Sequence, residues 1–183
     1  KDSDDRTQES LLKMFNMGGT GTFSENLAAL HICPLSISYE YDPCDYLKAK
    51  EFQQKRDNPD HKKSPQDDLL NMKTGVMGFK GRVVYKIAGE ISEKIMQLGE
   101  EIQNRNELVA AIASLIDANI HSNYEIYKVN KIAYDMLHES TEYRKSYTLL
   151  DKLDFEKYVE MQINKIDLEN KDVDFLKIKI LEM

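Results

Sequence analysis

The sharpest pattern in the N-terminal half of the chain is an alternation. Leu35, Ile37, Tyr39 and Tyr41 are interleaved with Ser36, Ser38 and Glu40, a period of two that predicts a β-strand over 34–41. Pro34 has no N–H to give a ladder, which suits the first residue of a strand or an edge. Asp42 and Pro43 then have the character of an N-cap and a first helical residue, so the strand is read as delivering straight into a helix. That helix carries Tyr46, Leu47 and Phe52 on one side and reaches about Lys55. A second strand is predicted over 82–88, where Val83, Tyr85 and Ile87 form a mostly apolar face opposite Val84 and Lys86.

Elsewhere the apolar spacing is helical. Leu11, Leu12, Met14 and Phe15 keep to one face of a helix over 6–17 that Gly18-Gly19 would end. Thr22-Phe-Ser-Glu25 matches a capping box for a short helix through Ala29, and Ser64-Pro65-Gln-Asp67 starts another that runs to about Lys73. Gly75, Gly78 and Gly81 break the chain before the second strand. Beyond Glu90 the pattern is wholly helical: 92–103, then a helix capped by Asn104 with a stripe of Leu108, Ala111, Ile112, Leu115 and Ile116. Ile126, Val129, Ile132, Ala133, Met136 and Leu137 mark the next, and a further helix covers 150–168. The last dozen residues fit helix or strand. The fold class expected is α/β (α+β): a few strands packed with helices, then a mainly helical C-terminal extension.

Composition narrows the function classes. Charged residues make up 31% of the 183 and the net charge is −7, which argues against a nucleic-acid partner, since phosphate binding needs a basic surface. Cys33 and Cys44 lack CxxC spacing and a nearby His pair, so neither zinc nor a disulfide framework is implied, and they suit a reducing, cytosolic setting. No apolar run approaches the roughly 18 residues of a membrane span. Both ends of the sequence look cut, the last in the middle of an apolar pattern, so the chain is read as a piece of a longer protein.

Candidate chemistry is sparse. Of the four histidines, His31 precedes the apolar strand and reads as a satisfied buried residue, His61 as part of a solvated connector, and His121 and His138 as helix-end residues. Gly18-Gly19-Thr20-Gly21-Thr22 invites a phosphate-loop reading, but it follows a helix and no Lys-Ser/Thr comes after it, so it reads as a helix stop and turn. Tyr39, Tyr41 and Tyr46 are candidates either to line an apolar site or to fill core and sheet surface. Charge pairs such as Asp67-Asp68 and Glu100-Glu101 read as solvated faces.

The run His31-Ile-Cys-Pro34-Leu-Ser-Ile-Ser-Tyr-Glu resembles the glycerolipid acyltransferase family, enzymes that acylate glycerol 3-phosphate and 1-acylglycerol 3-phosphate. Ile32-Cys-Pro34-Leu matches that family's fourth motif, an apolar strand with a proline. Lys1 to Gln8 resembles the polar segment that follows the third motif, Glu-Gly-Arg, in a bacterial branch. Tyr39-Glu-Tyr-Asp-Pro-Cys-Asp-Tyr-Leu-Lys-Ala-Lys50 resembles the same branch, and Gly81-Arg-Val-Val-Tyr-Lys-Ile-Ala-Gly-Glu90 its final strand. The resemblance divides the chain into 1–90, the C-terminal part of an acyltransferase-like α/β domain, and 91–183, a helical extension to which no chemistry attaches.

The departures are as informative. Five positions after each histidine stand Ser36, Gln66, Ile126 and Tyr143, so His-x4-Asp is absent, as are the second motif and the Glu-Gly-Arg. The resemblance thus implies a parent protein that transfers a fatty acyl group from acyl-CoA or acyl-carrier protein to a glycerol-phosphate lipid acceptor, without metal or cofactor. Its place would be the cytoplasm, at the cytoplasmic face of the inner membrane, with this part making only peripheral contact. No catalytic residue is expected here. As substrate-binding residues it implies Lys1 and Arg6, just past the phosphate-binding motif, and Pro34, in the floor of the site. Strands 34–41 and 82–88 would pair with strands of the other half, so alone they leave bare edges and an apolar face that must repack, form a homodimer or lean on the helices. The alternative is a non-enzymatic helical interaction or regulatory module.

Overall fold

The computed structural model describes residues 6–17 and 19–183. Among these, helices α1 (Glu9–Phe15) and α2 (Phe23–Ala28) precede strand β1 (Leu35–Tyr39), and helices α3 (Asp45–Asp57) and α4 (Pro65–Met77) precede β2 (Val83–Ile87). Five helices follow: α5 (Ser92–Glu101), α6 (Arg105–Ser122), α7 (Lys128–Leu137), α8 (Leu149–Asn164) and α9 (Val173–Leu181), with a 3-10 turn at Arg144–Ser146. A few strands packed with helices, followed by a helical C-terminal region, is the fold class the sequence predicts.

Capping chemistry sets several of these boundaries. Thr22 and Glu25 close a reciprocal capping box on α2, Ser64 and Asp67 one on α4, and Thr148 and Asp151 one on α8. The Asn104 side chain accepts from the N–H groups of Asn106 and Glu107 at the start of α6. Other boundaries differ from the expectation. α3 begins at Asp45, because Asp42 to Cys44 forms a turn in which the Asp42 carboxylate takes the Cys44 N–H at 2.8 Å. Gly75 lies inside α4, where only the Cys44 sulfur comes near its absent Cβ, so it interrupts nothing. The ambiguous C-terminal residues form α9, capped by Asp172.

The described chain forms two compact units, one made of the residues up to Ser38 with Val84–Glu125, the other of Tyr39–Val83 with Ile126–Met183. Each is discontinuous in sequence, so compactness divides the chain on a different principle from the resemblance, which divides it at residue 90.

In the first unit Leu12 of α1, Leu27 of α2, Ile95 of α5 and Val109 and Ile112 of α6 meet in one apolar core. Each fully buried side chain of this size contributes about 1.5–3 kcal/mol. α2 and α5 approach so closely that a Cβ on Gly99 would overlap the Ser24 hydroxyl, which leaves glycine as the residue that fits. The strands pair antiparallel: the Ala88 N–H donates to the Pro34 carbonyl at 2.8 Å and the Glu40 N–H to the Arg82 carbonyl at 2.9 Å, which sets Ile37 opposite Tyr85.

Within this unit the sheet is covered on its polar side. Ser36 is buried, with its hydroxyl donating to the Ile120 carbonyl at 2.6 Å, and the Ser38 hydroxyl accepts from the Glu125 N–H. The alternate residues, Leu35, Ile37, Tyr85 and Ile87, are between 43% and 73% exposed. The uncovered apolar face expected of the strands is therefore present, and the helices lean on its opposite.

In the second unit α3, α7, α8 and α9 enclose Ala49, Ile132, Val159 and Leu176, and α4 buries none of its residues. Gln53 of α3 is 1% exposed, and its amide binds both the Asn170 carbonyl and the Asp172 N–H, holding the loop before α9. Asp135 of α7 is buried; burial raises its carboxyl, but hydrogen bonds from Ser140, Tyr147 and the Tyr143 N–H outweigh it and hold it below its ordinary value. It ties the loop after α7 to the helix.

Candidate functional site

A cavity of about 440 Å³ opens in the second unit, where the turn leading into α3 meets residues of α7, α8 and α9. Val129, Ala133 and Leu137 of α7 and Ile180 and Leu181 from the end of α9 give it an apolar wall. Tyr39, the last residue of β1, and Tyr41, in the bend that follows it, line it as well. Tyr134, Phe155 and Tyr158 reach it from α7 and α8.

Asp45 is the chemical centre of this cavity. As the first residue of α3 it stands where the helix N-terminus favours negative charge. It is only 3% exposed. The Tyr158 hydroxyl donates to its Oδ2 at 2.6 Å, and the Tyr46 N–H donates to Oδ1. Burial pushes the Asp45 carboxyl up to about 6, against those two hydrogen bonds, with Asp42 adding to the rise and Lys165 opposing it. Burial likewise raises the Tyr158 hydroxyl, and donating to a carboxylate adds to the rise. The Tyr41 ring packs 4.3 Å from the Tyr158 ring, and the Phe155 ring lies 6.1 Å from it on another side.

Three further carboxylates line the cavity. Glu40 is bound by Arg82 at 2.9 Å and held below its ordinary range by that guanidinium. Asp42 is paired with Lys48 at 2.6 Å and Glu182 with Lys179 at 2.7 Å. The arrangement can bind and can exchange a proton near neutrality at Asp45. Nothing in it is a nucleophile held by a base.

The residues implied by the resemblance lie elsewhere. Lys1 is outside the described residues. Arg6 stands exposed before α1, and Pro34 is buried at the start of β1, with its carbonyl in the ladder. Neither lines the cavity.

The histidines fall at surface positions and helix ends. His31, read as buried, is exposed at a left-handed backbone position (φ 50°), with Nδ1 2.7 Å from Glu90 Oε1. The residues before β1 and after β2 run side by side at one end of the strand pair, where the Ile91 N–H donates to the Ile32 carbonyl. His121 ends α6 and His138 caps α7, as expected. Among the described residues no group of three or more His, Cys, Asp or Glu is placed to hold a metal ion, and no helix is long and apolar enough to cross a membrane.

Of the three tyrosines singled out by sequence, Tyr39 and Tyr41 line the cavity and Tyr46 does not. Asp45, Tyr134 and Tyr158 also line it, and no sequence pattern marks them. An acidic residue in the first turn of a helix is commonplace, and only its burial by a helix more than a hundred positions later sets it apart. No protein-family model, curated protein or solved structure matches this chain.

Proposed function

We propose that the chain is the C-terminal part of a phospholipid-biosynthesis acyltransferase of the glycerolipid kind. The whole protein transfers a fatty acyl group from acyl-CoA or acyl-carrier protein to a glycerol-phosphate acceptor at the cytoplasmic face of the membrane. This part holds no general base for the acceptor hydroxyl, and by itself it is inactive. It supplies the Pro34 strand to the floor of the site, with Lys1 and Arg6 beside the acceptor phosphate.

The observation that supports this reading is the bare sheet face. A β-strand that alternates apolar and polar residues ordinarily turns the apolar row inward. Here Leu35, Ile37, Tyr85 and Ile87 are left between 43% and 73% exposed while Ser36 is buried. Covering such side chains is worth about 1 kcal/mol or more each, for roughly half of what full burial gives. A catalytic half that packs on this face and continues the sheet from its free edges accounts for both features.

The test is thiol release from acyl-CoA with glycerol 3-phosphate or lysophosphatidate, comparing this chain with the protein extended upstream of Lys1. Activity in the longer protein, abolished when its His-x4-Asp histidine becomes Ala and absent from this chain, is the expected result. A folded longer protein that releases no thiol with either acceptor overturns it.

A second reading, a helical interaction module, is favoured by α4. Its Leu69, Met72 and Val76 recur at helical spacing and are each at least two-thirds exposed, the pattern of a helix that docks in a groove.

A further inference from the structure

We infer that the cavity of the second unit is a binding site for a small organic cation, an alkylammonium group held between the Asp45 carboxylate and the faces of the surrounding tyrosines. The inference does not rest on the acyltransferase reading, because the cavity needs no catalytic base and its charge opposes a phosphate-bearing ligand.

Charge is the first argument. Among the described residues, every charged side chain that lines the cavity is acidic: Glu40, Asp42, Asp45 and Glu182, with no Lys or Arg. Three of these already hold a cation, from Arg82, Lys48 and Lys179 respectively. Asp45, the most deeply buried of the four, receives its hydrogen bonds from neutral donors, the Tyr158 hydroxyl and the Tyr46 N–H. A carboxylate removed from water is costly unless a positive charge accompanies it. Lys165 and Asp42 are the charges that face it, and they are of opposite sign.

Shape and chemistry of the walls are the second. Tyr39, Tyr41, Tyr134 and Tyr158, with Phe155, give the cavity aromatic walls. The negative face of an aromatic ring attracts a cation, and most strongly where water is excluded. Its volume of about 440 Å³ lies within the range of small-molecule sites. Apolar residues from α7 and α9 suit the alkyl part of such a ligand, while the acidic lining repels a free carboxylate or phosphate.

Choline and its neutral isostere 3,3-dimethylbutan-1-ol separate charge from shape, and phosphocholine adds a phosphate to the same head. Titration calorimetry of the full chain reads all three. The expected result is saturable choline binding, with the neutral isostere and phosphocholine each at least about tenfold weaker. Asp45→Asn lowers choline affinity at least about tenfold and leaves the isostere unchanged. Tyr134→Leu, at a residue 40% exposed, weakens choline severalfold and decides the matter if Asp45→Asn fails to fold. No choline binding by folded protein, equal affinity for the neutral isostere, or full affinity in the folded variants overturns the inference.

Discussion

Replacing Asp45 by Asn isolates the energetics of one buried carboxylate. Asp45 is 3% exposed, and burial lifts its carboxyl from 3.8 to about 6 despite the hydrogen bonds it accepts. A carboxyl whose folded value lies above its unfolded one binds its proton more tightly in the folded chain. Its contribution to stability is therefore complete below pH 3.8 and is lost as pH rises through about 6. The gap between the two values corresponds to roughly 3 kcal/mol, of which about 2 kcal/mol falls between about pH 4.5 and about pH 7.5. Asn keeps the shape and an acceptor for the Tyr158 hydroxyl, and it carries no charge at any pH. Other titrating carboxylates cancel in the difference between wild type and variant. The chain has no Trp, so urea unfolding is followed by far-UV circular dichroism and tyrosine fluorescence. On going from about pH 7.5 to 4.5, wild type gains about 2 kcal/mol on the variant, or about 1 M in urea midpoint for a slope of about 2 kcal/mol/M. A difference that stays constant within about 0.5 kcal/mol across that range refutes the reasoning.

Three further perturbations probe other parts of the fold. Ile112→Ala empties a fully buried position in the core of the first unit, and thermal or urea unfolding is expected to show a loss of about 2–5 kcal/mol. Gly81→Ala places a Cβ 2.9 Å from Glu40 and Tyr41 atoms at φ +64°, so about 1–3 kcal/mol of stability is expected to go; an unchanged melting temperature would contradict the left-handed turn. The double change of Tyr85 and Ile87 to Lys alters residues 64% and 73% exposed, so stability is expected to move by no more than about 1 kcal/mol. Unfolding of the variant would show that the face is not bare.

Much of the fold was legible in the sequence because the forces concerned are local. The capping boxes at Thr22 and Ser64 act within a turn of helix, and both appear where the residues predict them. The alternation over Leu35 to Tyr39 made a strand legible for the same reason, since period two is a property of the strand alone. Where a cue depends on its surroundings, the structure departs from it. Pro43 has the character of a helix start, but the Asp42 side chain closes a turn on Cys44 and moves the start to Asp45. Gly75 has the character of a breaker, but a glycine with space around it is tolerated within a helix.

The candidate site was less legible. Tyr39 and Tyr41 were visible as aromatic residues on one side of a strand, whereas Asp45 and Tyr158 became a pair only when α8 packed against α3. Sequence by itself determined where most helices and both strands lie, and that the two sides of the strand pair differ in polarity. Only the tertiary structure decided which side is covered. Alternation creates two unlike faces but does not choose between them. In the first unit the choice fell to hydrogen bonds from Ser36 and to Ser38 across long sequence separations, which buried the polar row and left the apolar one outside.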